Sequence, residues 1–187
     1  GAPERELKAA WSFDLEPCNA LAAGIGWAKA ESRGLLVLSG AVGRGKTVAA
    51  ARYALSTGAA WCHAPLLGLD EWSKAAKRLE AFLGSRHLVV DEVGGPGTTT
   101  GGAVSRISAL LTARHASARP TVVTTNLTED EFARIYDGAA KAQSRLIDRI
   151  NDGGSWVTCV RVRSTDGRFR EVDSSFREEG ACSYENN

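Results

Sequence analysis

Gly40-Ala41-Val42-Gly43-Arg44-Gly45-Lys46-Thr47 fits the spacing G-x-x-x-x-G-K-[ST], and its chemistry is the capture of phosphate. The glycines let backbone N–H groups close around phosphate oxygens. A helix starting directly behind them offers unpaired donors and the positive end of its dipole. Lys46 can reach the β- and γ-phosphates of a nucleoside triphosphate, the Thr47 hydroxyl can ligate Mg2+, and Val48 completes the binding segment. The competing reading is a glycine-rich turn that happens to precede a lysine. An apolar run before the string and an Ala-rich helical stretch after it favour the phosphate loop.

Leu88-Val89-Val90-Asp91-Glu92 supplies a second half-site. An apolar strand ending in Asp91 delivers a carboxylate to the carboxyl edge of a sheet, where it can hold Mg2+ through water. Glu92 is suited to orienting or deprotonating an attacking water. Solvated acids at an ordinary strand end are the bland alternative. Two adjacent acids favour an ATPase that hydrolyses over a kinase or a simple nucleotide switch. No arginine-rich lid of the kind kinases close over phosphates stands between Glu92 and the last apolar run. A third run, Thr121-Val122-Val123-Thr124-Thr125-Asn126, ends in a polar side chain at the same edge. Locally, Asn126 reads equally as a ligand of the γ-phosphate and lytic water or as the start of the next turn.

These residues need a frame that brings strand ends together. Apolar runs at 35–39, 59–63, 88–91, 122–125 and 156–162 alternate with helical patterns, the signature of a parallel α/β sheet. Helices are predicted over 47–56, ended by Gly58, and over 70–83, with Trp72, Ala75, Ala76, Leu79 and Phe82 near one face. Further helices are expected at 104–115, at 128–136 behind a Thr128/Glu131 capping box, and at 139–150. The run 94–102, GGPGTTTGG, reads as a mobile surface loop without side chains for a core. Residues 1–173 are expected to form one domain and 174–187 a polar, flexible tail.

Composition agrees with one soluble globular domain. The chain has 187 residues, 43% hydrophobic and 24% charged, which excludes disorder and fibrous classes. No apolar run approaches the roughly 20 residues of a membrane span, and no signal peptide is visible at the start. A net charge of +1 excludes a surface wholly given to nucleic acid but leaves room for a local basic patch. Cys18, Cys62, Cys159 and Cys182 form no CxxC pair and read as free thiols of a reducing cytoplasm. The start at Gly1 in a chain without methionine suggests a trimmed N-terminus, so a preceding region is left open.

The order of a GKT loop, a VVDE strand, an RPTVVTTNL strand and an SRLIDRI helix resembles the AAA+ ATPases. It is most similar to the DnaC-like helicase loaders and their relatives, the IstB-like transposition ATPases. The resemblance spans roughly residues 13–163 and is most specific from Arg119-Pro120-Thr121 to Thr124-Thr125-Asn126-Leu127. Trp11-Ser12-Phe13 and Asn19-Ala20-Leu21 look like the family's lead-in to its phosphate loop. The resemblance implies a P-loop NTPase with a five-stranded parallel sheet of order 5-1-4-3-2, flanked by helices and without a helical lid. Asn126 would then lie between the strands of Lys46 and Asp91, as a sensor of the γ-phosphate. It implies Mg2+-dependent hydrolysis of ATP to ADP and a homo-oligomeric ring or helical filament. One subunit's arginine then acts on its neighbour's ATP; Asp148-Arg149-Ile150 matches that phrase, so Arg149 is the first candidate. Arg145, four residues earlier and on the same helical face, is the second, and a solvated arginine pair is the plain alternative.

Implied partners are a hexameric replicative helicase and single-stranded DNA, in the cytoplasm. Lys74, Lys77 and Arg78 form one candidate DNA-facing cluster, with Trp72 as a stacking face or a core residue. Arg161, Arg163, Arg168 and Arg170 form another, and both clusters read equally as solvated charge. Alternatives are an ATPase assisting transposition on duplex DNA and an ATP-controlled binding module with little hydrolysis. This chain departs from the family pattern in its glycine-rich stretch after Glu92, in Arg44 within the phosphate loop, and in starting where the ATPase module would start.

Overall fold

The computed structural model describes residues 4–5, 8, 19–30, 33–69, 72–99, 101–137, 146–159, 163–165 and 168–170. At its centre lies β1 (Leu35–Ser39), whose five residues are all buried. Alternate side chains of a strand point to opposite faces. Accordingly Leu35 and Val37 enter one core while Leu36 and Leu38 enter another. The same division separates Leu88 and Val90 from Val89 in β3 (Leu88–Val93), and Val123 from Val122 in β4 (Thr121–Thr125). Continuous apolar runs arise here because both faces of the sheet are covered.

The sheet is parallel, in the order β2-β3-β4-β1-β5, with β2 at Ala60–His63 and β5 at Ser155–Thr158. Read from the other edge this is 5-1-4-3-2, so β4 does lie between the strands that carry the phosphate loop and Asp91. One face is covered by α1 (Asn19–Lys29) and α2 (Lys46–Thr57), through Ala20, Ala49, Ala50, Ala51, Tyr53 and Ala54. The short α3 (Ala64–Leu69), α5 (Gly101–Ala116) and α7 (Leu146–Asn151) cover the other face; α4 (Trp72–Gly84) packs beside α5. On that second face, α6 (Glu129–Phe132) passes into a π-helical turn, Ala133–Asp137. A capping box opens α6: Thr128 Oγ1 accepts from Glu131 N–H, and the Glu131 carboxylate accepts from Thr128 N–H. Gly58, left-handed at φ 68, ends α2 with its N–H on Ala54 O.

Several boundaries differ from the sequence expectation. The helix expected over 70–83 begins at Trp72, and α3 precedes it, with Pro65 at the first-turn position where a missing N–H costs nothing. Helix α5 begins at Gly101 rather than 104, because burial of Ala103, Val104 and Ile107 outweighs the poor helix propensity of two glycines. The run 94–102 is therefore not a free loop. Gly101 and Gly102 are helical, and Thr98 is fully buried, its hydroxyl donating to Gly95 O at 2.7 Å. Strand β5 ends at Thr158, short of the expected 162. Helix α1 and an antiparallel pair, β6 (Arg163–Thr165) with β7 (Arg168–Arg170), were not anticipated. The expected tail 174–187 and most of the helix 139–150 lie outside the described residues, as do Cys18 and Cys182; Cys62 and Cys159 are buried free thiols.

Arg114 is fully buried, and its guanidinium donates to neutral oxygens of the described residues. Nε donates to Thr121 Oγ1 at 2.7 Å, Nη1 to Phe82 O at 2.7 Å and Ser85 O at 2.9 Å, and Nη2 to Pro120 O at 2.9 Å. It thereby ties α5 to the last turn of α4 and the first residue of β4, placing a cation at a helix C-terminus where the dipole favours it. Burial pushes its pKa down to about 10, which still leaves it charged near neutrality. Arg114→Ala should cost about 3 kcal/mol, because several buried carbonyls lose their donors together. Arg114→Lys should recover little, since one ammonium cannot span the same oxygens. Urea unfolding checks this, and a loss below about 1 kcal/mol for Arg114→Ala would show that the carbonyls find water instead.

Candidate functional site at the carboxyl edge of the sheet

Parallel strands all end on one edge, and the chemistry-bearing residues are gathered there. Between β1 and α2 the chain turns through Gly40, Gly43 and Gly45 at φ 136, 81 and 79, a region closed to most side chains. At Gly40 a side chain has no room either, since a Cβ would come within 2.7 Å of Cys159 O. Gly45 stands at the N-cap of α2 without any side-chain cap, so the first amides of that helix keep no internal partner. Lys46 is 8% exposed and donates from Nζ to Gly40 O at 2.6 Å and Ala41 O at 2.9 Å. Burial lowers its pKa, against the opposing influence of Cys159 and Asp91.

Asp91 is 5% exposed, and one oxygen, Oδ1, accepts from Thr124 Oγ1 at 2.6 Å and from Thr47 Oγ1 at 3.3 Å. Burial raises its pKa, and the two hydroxyl donors pull it partly back. Glu92 has a different setting. The β3–β4 register shifts between Val90 and Val93, and Glu92 occupies that bulge at φ 67, which aims its side chain into the cleft. Its N–H donates to Thr124 Oγ1 at 2.9 Å, so one hydroxyl serves both acids. Glu92 Oε2 lies 3.5 Å from His63 Nε2 at the end of β2.

A cavity of about 590 Å³ is lined by the phosphate loop from Val42 to Val48, by Asp91, Glu92 and Asn126, and by Arg5, His63, Thr124 and Thr125. Its size suits a nucleotide-sized ligand. The donors also suit Mg2+: Thr47 Oγ1 and the Asp91 carboxylate are hard oxygens already in contact. Among the described residues no three His, Cys, Asp or Glu side chains converge as a metal cage. Mg2+ is commonly held by one or two carboxylates together with substrate phosphates.

The structure thus brings the phosphate loop, Asp91, Glu92 and Asn126 together. Arg149, half-buried on α7, is not among the lining residues; Arg145 and Arg161 lie outside the described residues. Lys77 and Arg78 are exposed on α4, the helix that also carries Lys74, and do not line the cavity. Arg163 pairs in register with Arg170, and Thr165 with Arg168. Sequence reasoning missed His63, Thr124 and Arg5. His63 had a usable signal: it ends a strand whose register places it beside Asp91.

Nucleotide-free protein in EDTA offers a test of the Asp91 environment. An acid with a raised folded pKa opposes folding when ionised, so stability should fall as pH rises from the ordinary carboxylate range through the raised value. Asp91→Asn keeps an Oδ1 to accept both hydroxyls and removes the charge. The variant should lose that slope and be at least as stable as the parent at pH 7, as measured by thermal unfolding across pH. A variant less stable at pH 7, with the slope intact, would contradict this account.

No protein-family profile matches the chain, and no curated protein sequence matches it. Solved structures do. DnaI superposes with a TM-score of 0.63 at 19% identity, over 89% of this chain and 94% of that one. The DnaC helicase loader gives 0.60 at 18% identity, over 84% and 99%. Replication initiator DnaA, bound to AMPPCP and single-stranded DNA, gives 0.61 at 14% identity, over 86% of this chain and 51% of that one. No described helix is long and apolar enough to cross a membrane. With its 5-1-4-3-2 parallel sheet, its glycine-lined loop and these neighbours, the chain has the fold of the AAA+ P-loop domains.

Proposed function

We propose that the protein binds and hydrolyses ATP, releasing ADP, and acts as a loader of a hexameric replicative helicase on single-stranded DNA. The observation that carries this reading is the convergence of Lys46, Thr47, Asp91, Glu92 and Asn126 on one cavity. The likeness in fold to the DnaC helicase loader supports the cellular role. Residues 1–173 act as the ATPase domain in this reading.

In the proposed mechanism, loop amides from Gly40 to Val48 hold the phosphates, with the Lys46 ammonium on the β- and γ-phosphate oxygens. Thr47 and Asp91 would hold Mg2+, which would supply neutralising charge to the phosphate oxygens. Glu92 takes a proton from the attacking water or orients it, and the Asn126 amide fixes that water against the γ-phosphate. Arg149 of one subunit, with Arg145 as second candidate, completes the neighbour's site in a ring or filament. Such fingers contribute about 10³–10⁵ in rate. DNA contact falls to Lys74, Lys77 and Arg78, or to Arg161 and Arg163.

Lys46→Ala should lose nucleotide binding, whereas Glu92→Gln should bind ATP and hydrolyse it far more slowly. Equal loss of affinity in both variants contradicts these roles. Arg149→Ala should bind ATP but lose hydrolysis stimulated by assembly, and mixing it with Glu92→Gln should restore part of it. That follows because mixed interfaces pair an intact Glu92 with an intact Arg149. Normal hydrolysis by Arg149→Ala under assembling conditions, with loss in Arg145→Ala, moves the finger to Arg145.

Binding to single strands should fall with salt by a slope of about −0.7 per phosphate neutralised. Neutralising Lys74, Lys77 and Arg78 should flatten that slope. An unchanged slope transfers the contact to Arg161 and Arg163. Recovery of a hexameric helicase with the protein from its own cell supports the loader role. Tighter binding to duplex, without helicase, supports the transposition ATPase instead.

A further inference from the structure

We infer that Tyr136 is a positioning residue for the proposed hydrolysis, its hydroxyl holding the segment after Glu92 so that the carboxylate stays aimed into the cavity. This rests on the role given above to Glu92. Glu92 is one of two described non-glycine residues with positive φ, and such a conformation persists only where its surroundings over-determine it. On its N-terminal side the constraint is the bond from its N–H to Thr124. On its C-terminal side the constraint is a compact turn. Gly95 N donates to Glu92 O at 3.2 Å, and Thr98 closes the turn on Gly95 O through its N–H at 3.1 Å and its hydroxyl at 2.7 Å.

That turn is fastened to the rest of the protein through the Tyr136 phenol. The hydroxyl accepts from Gly94 N–H at 3.1 Å and lies 3.2 Å from Thr98 O, to which it donates. Both ends of the turn therefore meet on one oxygen. Leu127 packs beside Gly94, close enough that a Cβ there would lie 2.5 Å from the Leu127 side chain. The oxygen itself is held from the other side. The Tyr136 ring is 1% exposed and packs on Phe132 with centroids 4.7 Å apart, and Ser108 Oγ donates to its backbone carbonyl at 3.1 Å.

The π-helical turn that carries Tyr136 follows α6 directly, and α6 follows Asn126 with only the turn at Leu127 and Thr128 between. A π turn is a common marker of a functional position in a helix. Here it joins the two acid-bearing and amide-bearing parts of the cavity: Asn126 at the start of the segment, the Glu92 turn at its end. Without the phenol oxygen, Gly94 N–H has no partner and Glu92 loses the C-terminal half of its restraint. The ring places the hydroxyl, and the hydroxyl makes the bonds.

Tyr136→Phe separates the two. It should bind a fluorescent ATP analogue within twofold of the parent and keep KM, while kcat falls about tenfold, the effect of releasing one strained conformer. Tyr53→Phe serves as the control for losing a buried, hydrogen-bonded hydroxyl: Tyr53 Oη lies 2.8 Å from His87 Nδ1 at the amino edge of the sheet, so this variant should lower the unfolding midpoint to a similar extent and keep kcat at an assay temperature well below that midpoint. Combined with Glu92→Gln, Tyr136→Phe should slow hydrolysis no further, because the carboxylate it positions is gone. If Glu92→Gln is slow but Tyr136→Phe keeps the parental kcat, the inference fails and the reading of Glu92 stands. If Glu92→Gln hydrolyses like the parent, that reading fails and takes the inference with it. Equal losses of kcat in Tyr136→Phe and Tyr53→Phe, or a loss of ATP affinity in step with kcat, would reduce Tyr136 to a structural role alone.

Discussion

One buried hydroxyl organises the acidic half of the cavity. Thr124 Oγ1 donates to the Asp91 carboxylate and accepts from the Glu92 N–H, so adjacent residues of β3 are held in different states. Asp91 stays inside, bonded and desolvated. Glu92 is turned outward on a bulge with about half of its side chain exposed. The arrangement requires β4 beside β3, which the sheet order provides. It also requires that β4 carry a small donor at that one register position. A valine there would fill the same space, take the shorter of two donors from the buried Asp91 carboxylate and remove the acceptor of the Glu92 amide.

Much of this was legible in the residues. The phosphate loop announces itself because only glycines tolerate its backbone, and the apolar strands because a sheet covered on both faces must be apolar throughout. Leu88 to Asp91 could be read as a strand delivering an acid for that reason. Other parts were hidden by physics that acts across the chain. Glu92's orientation comes from a bulge, and a bulge is a mismatch between two strands that neither strand encodes alone. Thr98 looked like loop filler among glycines and threonines, yet it is buried by contacts with residues far along the chain. The glycine-led start of α5 followed packing rather than propensity. His63 was overlooked because its one signal, standing at the end of an apolar run, gains meaning only when strand pairing sets it beside Asp91.

The two cores divide their work differently. The face packed by α1 and α2 is built largely of alanines, which lets the helix behind the phosphate loop lie close to the sheet. The opposite face carries the bulkier residues, including Phe132, Tyr136 and the leucines of α5, and it supports the turn after Glu92. The glycine loop after β1 and the turn after Glu92 are thus backed by separate packing layers on opposite faces of the sheet.

The pairing of β1 has a consequence for how the chain reaches this state. Its two neighbours, β4 and β5, both come from far downstream, and Asn19 on α1 donates across 139 residues to Thr158 O. Long-range parallel pairing is slow to form because loop closure precedes any reward. During synthesis the apolar strand that ends in the phosphate loop therefore emerges early and waits, both edges open, until nearly all the described sheet has left the ribosome. The glycine loop has no rigid floor until β5 docks and Cys159 closes over Gly40.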